Sequence, residues 1–204
     1  MENTARIAVL VSGGGTNLQA LIDAQGQGII TSGRIEVVIS SKKDAYALER
    51  AKMAGIPSAV ASRRELGSRE AFEGKIREIL NEYEIDVIVL AGFMSILSEE
   101  FVKAYPKRIL NVHPSLIPSF CGEGFYGLRV HEAALEYGVK VTGATVHFVN
   151  EIADGGEIIM QKAVAIREND TPETLQKRVM KLAEWKILPR ATEKVCADIL
   201  KNKN

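Results

Sequence analysis

Asn111 and His113 stand two residues apart in the stretch RILNVHPSLIP, at the end of an apolar run. In a strand, alternate side chains share a face, so this amide and imidazole would project together while Val112 packs behind them. Pro114 cannot donate to a sheet ladder and presses its predecessor towards extended backbone, so the strand should end at His113. An asparagine amide can donate to a developing oxyanion, and a histidine can donate to it or carry a proton. The segment NEIADGGEI offers a carboxylate, Asp154, followed by two glycines that allow a tight turn; Glu151 is its competitor. A carboxylate near His113 would favour the imidazolium and raise its pKa. The set has no nucleophile of its own. It suits direct attack of a substrate amine on a carbonyl, with Asn111 binding the oxyanion, His113 adding positive charge and handling the proton, and Asp154 setting the state of the histidine. On spacing alone, His113 is equally well read as structural.

A second group, SGGGTN (Ser12–Asn17), lies between an apolar run and a helical one. Backbone amides at a helix N-terminus make an anion site, glycines permit close approach, and Thr16 and Asn17 add side-chain donors. The dinucleotide fingerprint is incomplete, because Leu18 stands where its third glycine belongs, and the Walker pattern is absent. A monophosphate fits better than NAD or ATP; a tight turn without ligand is the alternative. His131 is expected to begin a helix, and His147 to make a buried hydrogen bond within a strand. No His/Cys pair has zinc-ligand spacing, and Ser115 and Ser119 lack a nucleophile-elbow context.

These groups need a scaffold, and the chain spells one out. Residues 6–12, 34–40, 57–61, 86–92 and 108–113 read as buried strands separated by segments with helical spacing of apolar residues. That alternation predicts right-handed crossovers and a parallel sheet covered on both faces. Residues 139–149 and 157–166 read as a late, antiparallel pair. From Thr171 a closing helix is expected, with Thr171 as its cap, Pro172 in its first turn and Pro189 interrupting or kinking it.

Twenty-six basic residues balance twenty-six acidic ones among 204, which gives no electrostatic argument for a nucleic acid or membrane surface. The two cysteines form no CxxC pattern, and no signal peptide or membrane-length apolar run is seen. A soluble cytoplasmic protein, residues 1–204 in one α/β domain, is the expectation.

The segments VLVSGGGTNLQALID, VIVLAGFMSIL, LNVHPSLIPSF, VTGATVHFV and DGGEIIMQKAV together, in this order, resemble the glycinamide ribonucleotide formyltransferases, a folate-dependent family of purine synthesis. The resemblance runs from about residue 6 to 190. It implies a Rossmann-like fold with a seven-stranded, mostly parallel twisted sheet and helices on both faces. It also implies transfer of a formyl group from 10-formyltetrahydrofolate to the amine of 5'-phosphoribosylglycinamide, without a metal. By position it makes Asn111, His113 and Asp154 catalytic. Gly14, Gly15, Thr16 and Asn17, with Lys181 and Glu184 on the last helix, would hold the ribonucleotide; an i, i+3 pair shares a helix face. Arg69, the segment Met94, Ser95, Ile96 and Leu97, and the loop Asn150, Glu151, Ile152, Ala153 and Asp154 would meet the folate, as would Asn111. The phosphate loop then belongs to the N-terminal half, and the folate cleft and catalytic residues to the C-terminal half. Small molecules are the implied partners, with monomer and homodimer both open.

Two departures from the family pattern stand out. Ser95 occupies a position where many relatives carry arginine, and Arg129 is a candidate to replace that charge. The loop from His113 to His131 is longer than usual and reads either as a flap over the folate cleft or as a surface loop. Two related enzymes are alternatives: methionyl-tRNA formyltransferase, with a further tRNA domain and a basic surplus expected, and formyltetrahydrofolate hydrolase, with an N-terminal regulatory domain expected. A catalytically silent phosphate-binding module is the alternative from another class.

Overall fold

The computed structural model describes residues 4–203. Seven strands form one sheet: β1 (Ala5–Val11), β2 (Gly33–Ser40), β3 (Ser58–Val60), β4 (Val87–Leu90), β5 (Ile109–His113), β6 (Val141–Phe148) and β7 (Ile158–Ala165). Their order is β3-β2-β1-β4-β5-β6-β7. The pairs from β3 through β5 are parallel, and β6 and β7 pair antiparallel. All seven runs read as strands are strands, within two residues at each end.

The period-2 alternation of β1 shows why both faces are covered. Ile7, Val9 and Val11 belong to one core cluster, and Ala8 and Leu10 to the other. The first face is packed by α1 (Thr16–Gly26), α2 (Tyr46–Met53) and the C-terminal helices. The second is packed by α4 (Arg69–Glu82) and α5 (Glu99–Lys103), with the short α3 (Arg63–Leu66) preceding them. A helix α6 (Leu128–Tyr137) links β5 to β6. Burial of both faces is what a parallel sheet requires.

Strand order reverses between β1 and β4, so the connections leaving their carboxyl ends diverge and open a crevice. The glycine loop follows β1 there and residues 91–98 follow β4. Asn111 and His113 come from the end of β5, one strand further along.

The C-terminal segment differs from the uniform kinked helix expected. α7 (Pro172–Val179) begins with a reciprocal Thr171–Thr174 capping box, as the cap reading required. A π-helical turn then occupies Met180–Glu184, and α8 (Trp185–Lys203) continues with Pro189 inside it. The irregularity therefore lies one turn upstream of the proline. The N–H that Pro189 lacks would have bonded to the carbonyl of Trp185, the residue where the π turn hands over to α8.

One carboxylate anchors α8 to the segment that leads into β2. Glu193 accepts hydrogen bonds from the backbone amides of Thr31 (2.8 Å) and Ser32 (2.9 Å) and from both hydroxyls. Burial alone would raise its pKa, but these donors hold it below the ordinary value. Hydrogen bonds to a charged acceptor are each worth about 1.5–3 kcal/mol, so Glu193→Ala should cost about 2 kcal/mol after partial rehydration of the donors. In a chain this long that is a fall of roughly 4–8 °C in Tm, read by calorimetry. The depressed carboxylate makes this stability present above its unfolded pKa and lost as pH falls through the folded value, so the gap between wild type and variant should close in acid.

Candidate active site

A cleft of about 1050 Å³ opens at the crevice between the β1 and β4 connections. Asn111, His113 and Asp154 line it together, and the structure adds His147 and His131 to the same wall. The antiparallel β5–β6 register sets Asn111 directly opposite His147 and His113 opposite Thr145. A register shift in β6–β7 falls next to His147, the kind of irregularity that re-aims a side chain beside a site.

The hydrogen bonds fix the protonation pattern. His147 Nδ1 donates to the carbonyl of Phe148 (2.8 Å), which leaves Nε2 as an acceptor for Asn111 Nδ2 (3.2 Å). The Asn111 amide also donates, at 3.5 Å, to Asp154 Oδ1. His113 Nε2 lies 2.8 Å from the carbonyl of Phe120, which can only accept, so Nε2 carries the proton. Nδ1 of His113 then faces Asp154 Oδ2 at 3.4 Å. Gly122 N–H donates to the same carboxylate oxygen (2.9 Å).

Burial decides the state of His113. It pushes the pKa below the ordinary histidine value, and the Phe120 carbonyl and the Asp154 charge, both acting upward, do not overcome it. Asp154 acts on His113 in the expected upward direction, but desolvation of a ring only 4% exposed outweighs its counter-ion. For Asp154 burial acts upward, but the neighbouring His147 and His113 imidazoles and the Gly122 N–H hold its pKa below the usual carboxylate range. Both directions describe one resting state, an ionised Asp154 beside a neutral His113. His131 is pushed down to about 4 by burial and by His113, so it too is neutral. It lies in the first turn of α6, which begins at Leu128, three residues earlier than expected.

The long loop after His113 forms the cleft wall. Its Phe120 carbonyl holds His113, its Gly122 amide holds Asp154, and residues 122–127 line the cavity. Arg129 is exposed, with its guanidinium stacked 4.9 Å from the ring centre of Tyr126, and is not among the cleft-lining groups.

On the other side, Met94, Ser95, Ile96 and Leu97 line the cleft, as do Asn150, Glu151, Ile152 and Ala153. Asn17 and Glu184 close the end nearest α1 and are joined by a 2.7 Å hydrogen bond from Asn17 Nδ2 to Glu184 Oε2. Asn17 Oδ1 is buried without a partner. Thr16 faces a second, smaller cleft between α1 and α8, about 340 Å³ in volume, shared with Arg50, Trp185, Lys186 and Arg190. Gly14 and Gly15 border neither cavity; Gly15 adopts φ +71°, and a side chain there would strike Ala47.

Arg69 and Lys181 also fall outside the large cleft. Arg69 is the first residue of α4, partly exposed and outside the cleft lining. Lys181 is exposed while Glu184 is buried, and only Glu184 of the pair lines the cleft. The π turn's wider i→i+5 spacing advances less per residue, and Met180 joins Glu184 in the cleft wall. His147 is, as expected, a buried hydrogen-bonding residue within a strand, but its place in the cleft was not expected from sequence, nor were the Phe120 carbonyl and the Gly122 amide. The signal was present, since polar residues alternate in both NVH and TVH, but it needs the β5–β6 pairing to be read.

Among the described residues no cluster of three or more His, Cys, Asp or Glu is placed to hold a metal, and no helix is long and apolar enough to cross a membrane.

Comparison with known proteins adds an independent finding. The formyl transferase family profile matches residues 5–192. The phosphoribosylglycinamide formyltransferase of Haemophilus influenzae is 44% identical over 184 residues, covering 90% of this chain and 84% of that protein. The human trifunctional purine biosynthetic protein adenosine-3 is 48% identical over 196 residues, and the chain spans only 19% of its length. Among solved structures, glycinamide ribonucleotide transformylase 1 from Symbiobacterium toebii superposes with a TM-score of 0.89 at 43% identity, over 97% of this chain and 90% of that one.

Glu184 generates a test of the site's electrostatics. Burial pushes its carboxyl up to about 7, with the Asn17 amide opposing. Between its ordinary value of 4.5 and about 7, the native state holds a proton that the unfolded chain has released, so stability falls as pH rises. Glu184→Gln removes that titration. The loss of Tm between about pH 5 and pH 7.5 should be smaller in the variant than in wild type. Equal losses would show an ordinary carboxylate.

Proposed function

Because the chain belongs to the phosphoribosylglycinamide formyltransferases of the formyl transferase family, we propose that it moves a formyl group from 10-formyltetrahydrofolate to the amine of 5'-phosphoribosylglycinamide. The observation that carries this reading is the convergence of Asn111, His113 and Asp154 at the centre of one cleft. Asn17 and Glu184 end the cleft on one side; Met94–Leu97 and Asn150–Ala153 wall the other. The cleft has room for the reacting ends of two small molecules, and its mixture of apolar lining and convergent polar groups suits a flat heteroaromatic donor. The donor supplies an activated formyl carbon; the residues supply position and charge.

Asn111 receives the oxyanion formed when the amine attacks. Its present partners are long, 3.2 and 3.5 Å, so turning one N–H towards a developing charge gives up little and gains a charge-assisted bond. His113 starts neutral with Nδ1 free to accept the proton of the attacking amine. Asp154, 3.4 Å away, then stabilises the imidazolium and keeps its ring oriented. As the carbonyl reforms, the carbon–nitrogen bond to the folate breaks and the proton passes to the departing folate nitrogen. The ribonucleotide lies with its phosphate towards the glycine loop and its ribose at Asn17 and Glu184. The described sheet acts as one catalytic unit, and its partners are these two small molecules.

The deciding measurement is deformylation of 10-formyltetrahydrofolate by the purified protein, followed by absorbance with and without the ribonucleotide. Consumption only with the ribonucleotide, with formylated product recovered, establishes the transferase. Consumption without it makes the protein a hydrolase, and binding without consumption makes it a silent module. In the same assay Asn111→Ala should lose roughly 10²–10³ in turnover. Near-normal turnover would remove the oxyanion role.

The pH profile tests the histidine. A base that must be neutral gives a rate rising with pH through its pKa. Asp154 raises the His113 pKa, so Asp154→Asn should move that acid limb to lower pH while lowering the maximum rate. An acid limb left in place would make Asp154 a loop residue only.

A further inference from the structure

Ser12 is the residue between β1 and the glycines, and it is 4% exposed. Its Oγ accepts a hydrogen bond from the backbone N–H of Met94 (2.9 Å) and shares another with Ser41 Oγ (2.6 Å). Its own N–H donates to the carbonyl of Gly92 (3.1 Å). One buried hydroxyl thus ties the start of the glycine loop to the end of β2 and to the first residue of the Met94–Leu97 segment.

The remaining anchors make this link consequential. The loop is held from α2, with Ala47 N–H donating to Gly13 O (3.0 Å) and Arg50 Nε to Gly14 O (2.8 Å). The segment's far end is held from α4, where the buried Glu73 carboxylate accepts from Ser98 N (2.6 Å) and Ser98 Oγ (2.5 Å). Met94 is therefore suspended between an α4 anchor and a hydroxyl that belongs to the other half-site. A ligand that orders the glycine loop orders the acceptor of the Met94 amide, and the second ligand has less ordering left to do.

We propose that Ser12 is a positioning residue shared by the two half-sites, and that its hydroxyl makes binding on the ribonucleotide side and on the folate side mutually favourable. This rests on the assignment of the half-sites given above. The coupling is reciprocal by linkage, so either ligand can report it.

The test is calorimetric titration with tetrahydrofolate, which has no formyl group to transfer, in the absence and presence of saturating ribonucleotide. In wild type the ribonucleotide should tighten tetrahydrofolate roughly 5- to 10-fold. In Ser12→Ala this factor should fall to near one. The KM for the formyl donor should rise roughly tenfold, the worth of one hydrogen bond, and kcat should stay within about threefold because the reacting groups are untouched. Glu193→Ala, destabilised at a distance, should keep the wild-type factor, which separates positioning from general loss of stability. Should Ser12→Ala fail to fold, Ser41→Ala releases the same hydroxyl and should lower the factor in the same direction. Wild type that binds both ligands without coupling, or a variant that keeps the full factor, overturns the proposal alone. Wild type that binds neither ligand overturns the half-site assignment and this proposal with it.

Discussion

The carboxylate of Asp154 is the fixed point around which the cleft is built. It meets His113, His147, the Asn111 amide and the Gly122 amide, groups from two strands and a loop that share no local sequence. The residue holds φ at +54°, a left-handed conformation that costs a non-glycine side chain about 1–3 kcal/mol. Its two glycines explain how the chain reaches it. A Cβ on Gly156 would lie 1.7 Å from the carbonyl of Phe148, and one on Gly155 would lie 2.6 Å from Ile152. The DGG sequence is thus a packing requirement as well as a turn. Phe120, which supplies the other contact to His113, also has positive φ, at +49°. Backbone strain at both residues is stored where the imidazole is gripped.

That grip reconciles two demands. In the proposed reaction a proton acceptor must be neutral at rest, and the imidazolium it would become must not be expelled by its low-dielectric surroundings. Burial meets the first demand by lowering the pKa of His113. The ionised Asp154 meets the second, and it stays ionised because a backbone amide and two imidazoles surround it. Removing water without supplying the carboxylate, or the reverse, would satisfy only one.

Much of this scaffold was legible in sequence, for a physical reason. Strands buried on both faces must be apolar at nearly every position, and β1, β2 and β4 show that run directly. The pairing of Asn111 with His113 was legible too, because period two is local. What was not legible depends on partners far along the chain. The antiparallel docking of β6 on β5 brings His147 to Asn111 across 36 residues, and no local pattern encodes that register. The loop at 120–122 contributes a carbonyl and an amide, groups that every residue carries and that no side chain announces. The π turn at Met180–Glu184 was not legible either, because its segment has an ordinary helical composition.

The π turn has a consequence for the whole site. It points Met180 and Glu184 into the large cleft and leaves Lys181 outside, so the end wall facing the glycine loop is a buried carboxyl bonded to Asn17, without a cation. The cations stand beyond that wall: Arg50, Lys186 and Arg190 line the smaller cleft beside Thr16. Asn17 and Glu184 therefore stand between a hydrogen-bonding end of the large cleft and a basic cleft. A carboxyl pushed up to about 7 presents both an acceptor and, when protonated, a donor, and Asn17 Oδ1 adds an unpartnered acceptor beside it. Such a wall is suited to vicinal hydroxyls and unsuited to an anion, while the compartment behind it has the reverse preference.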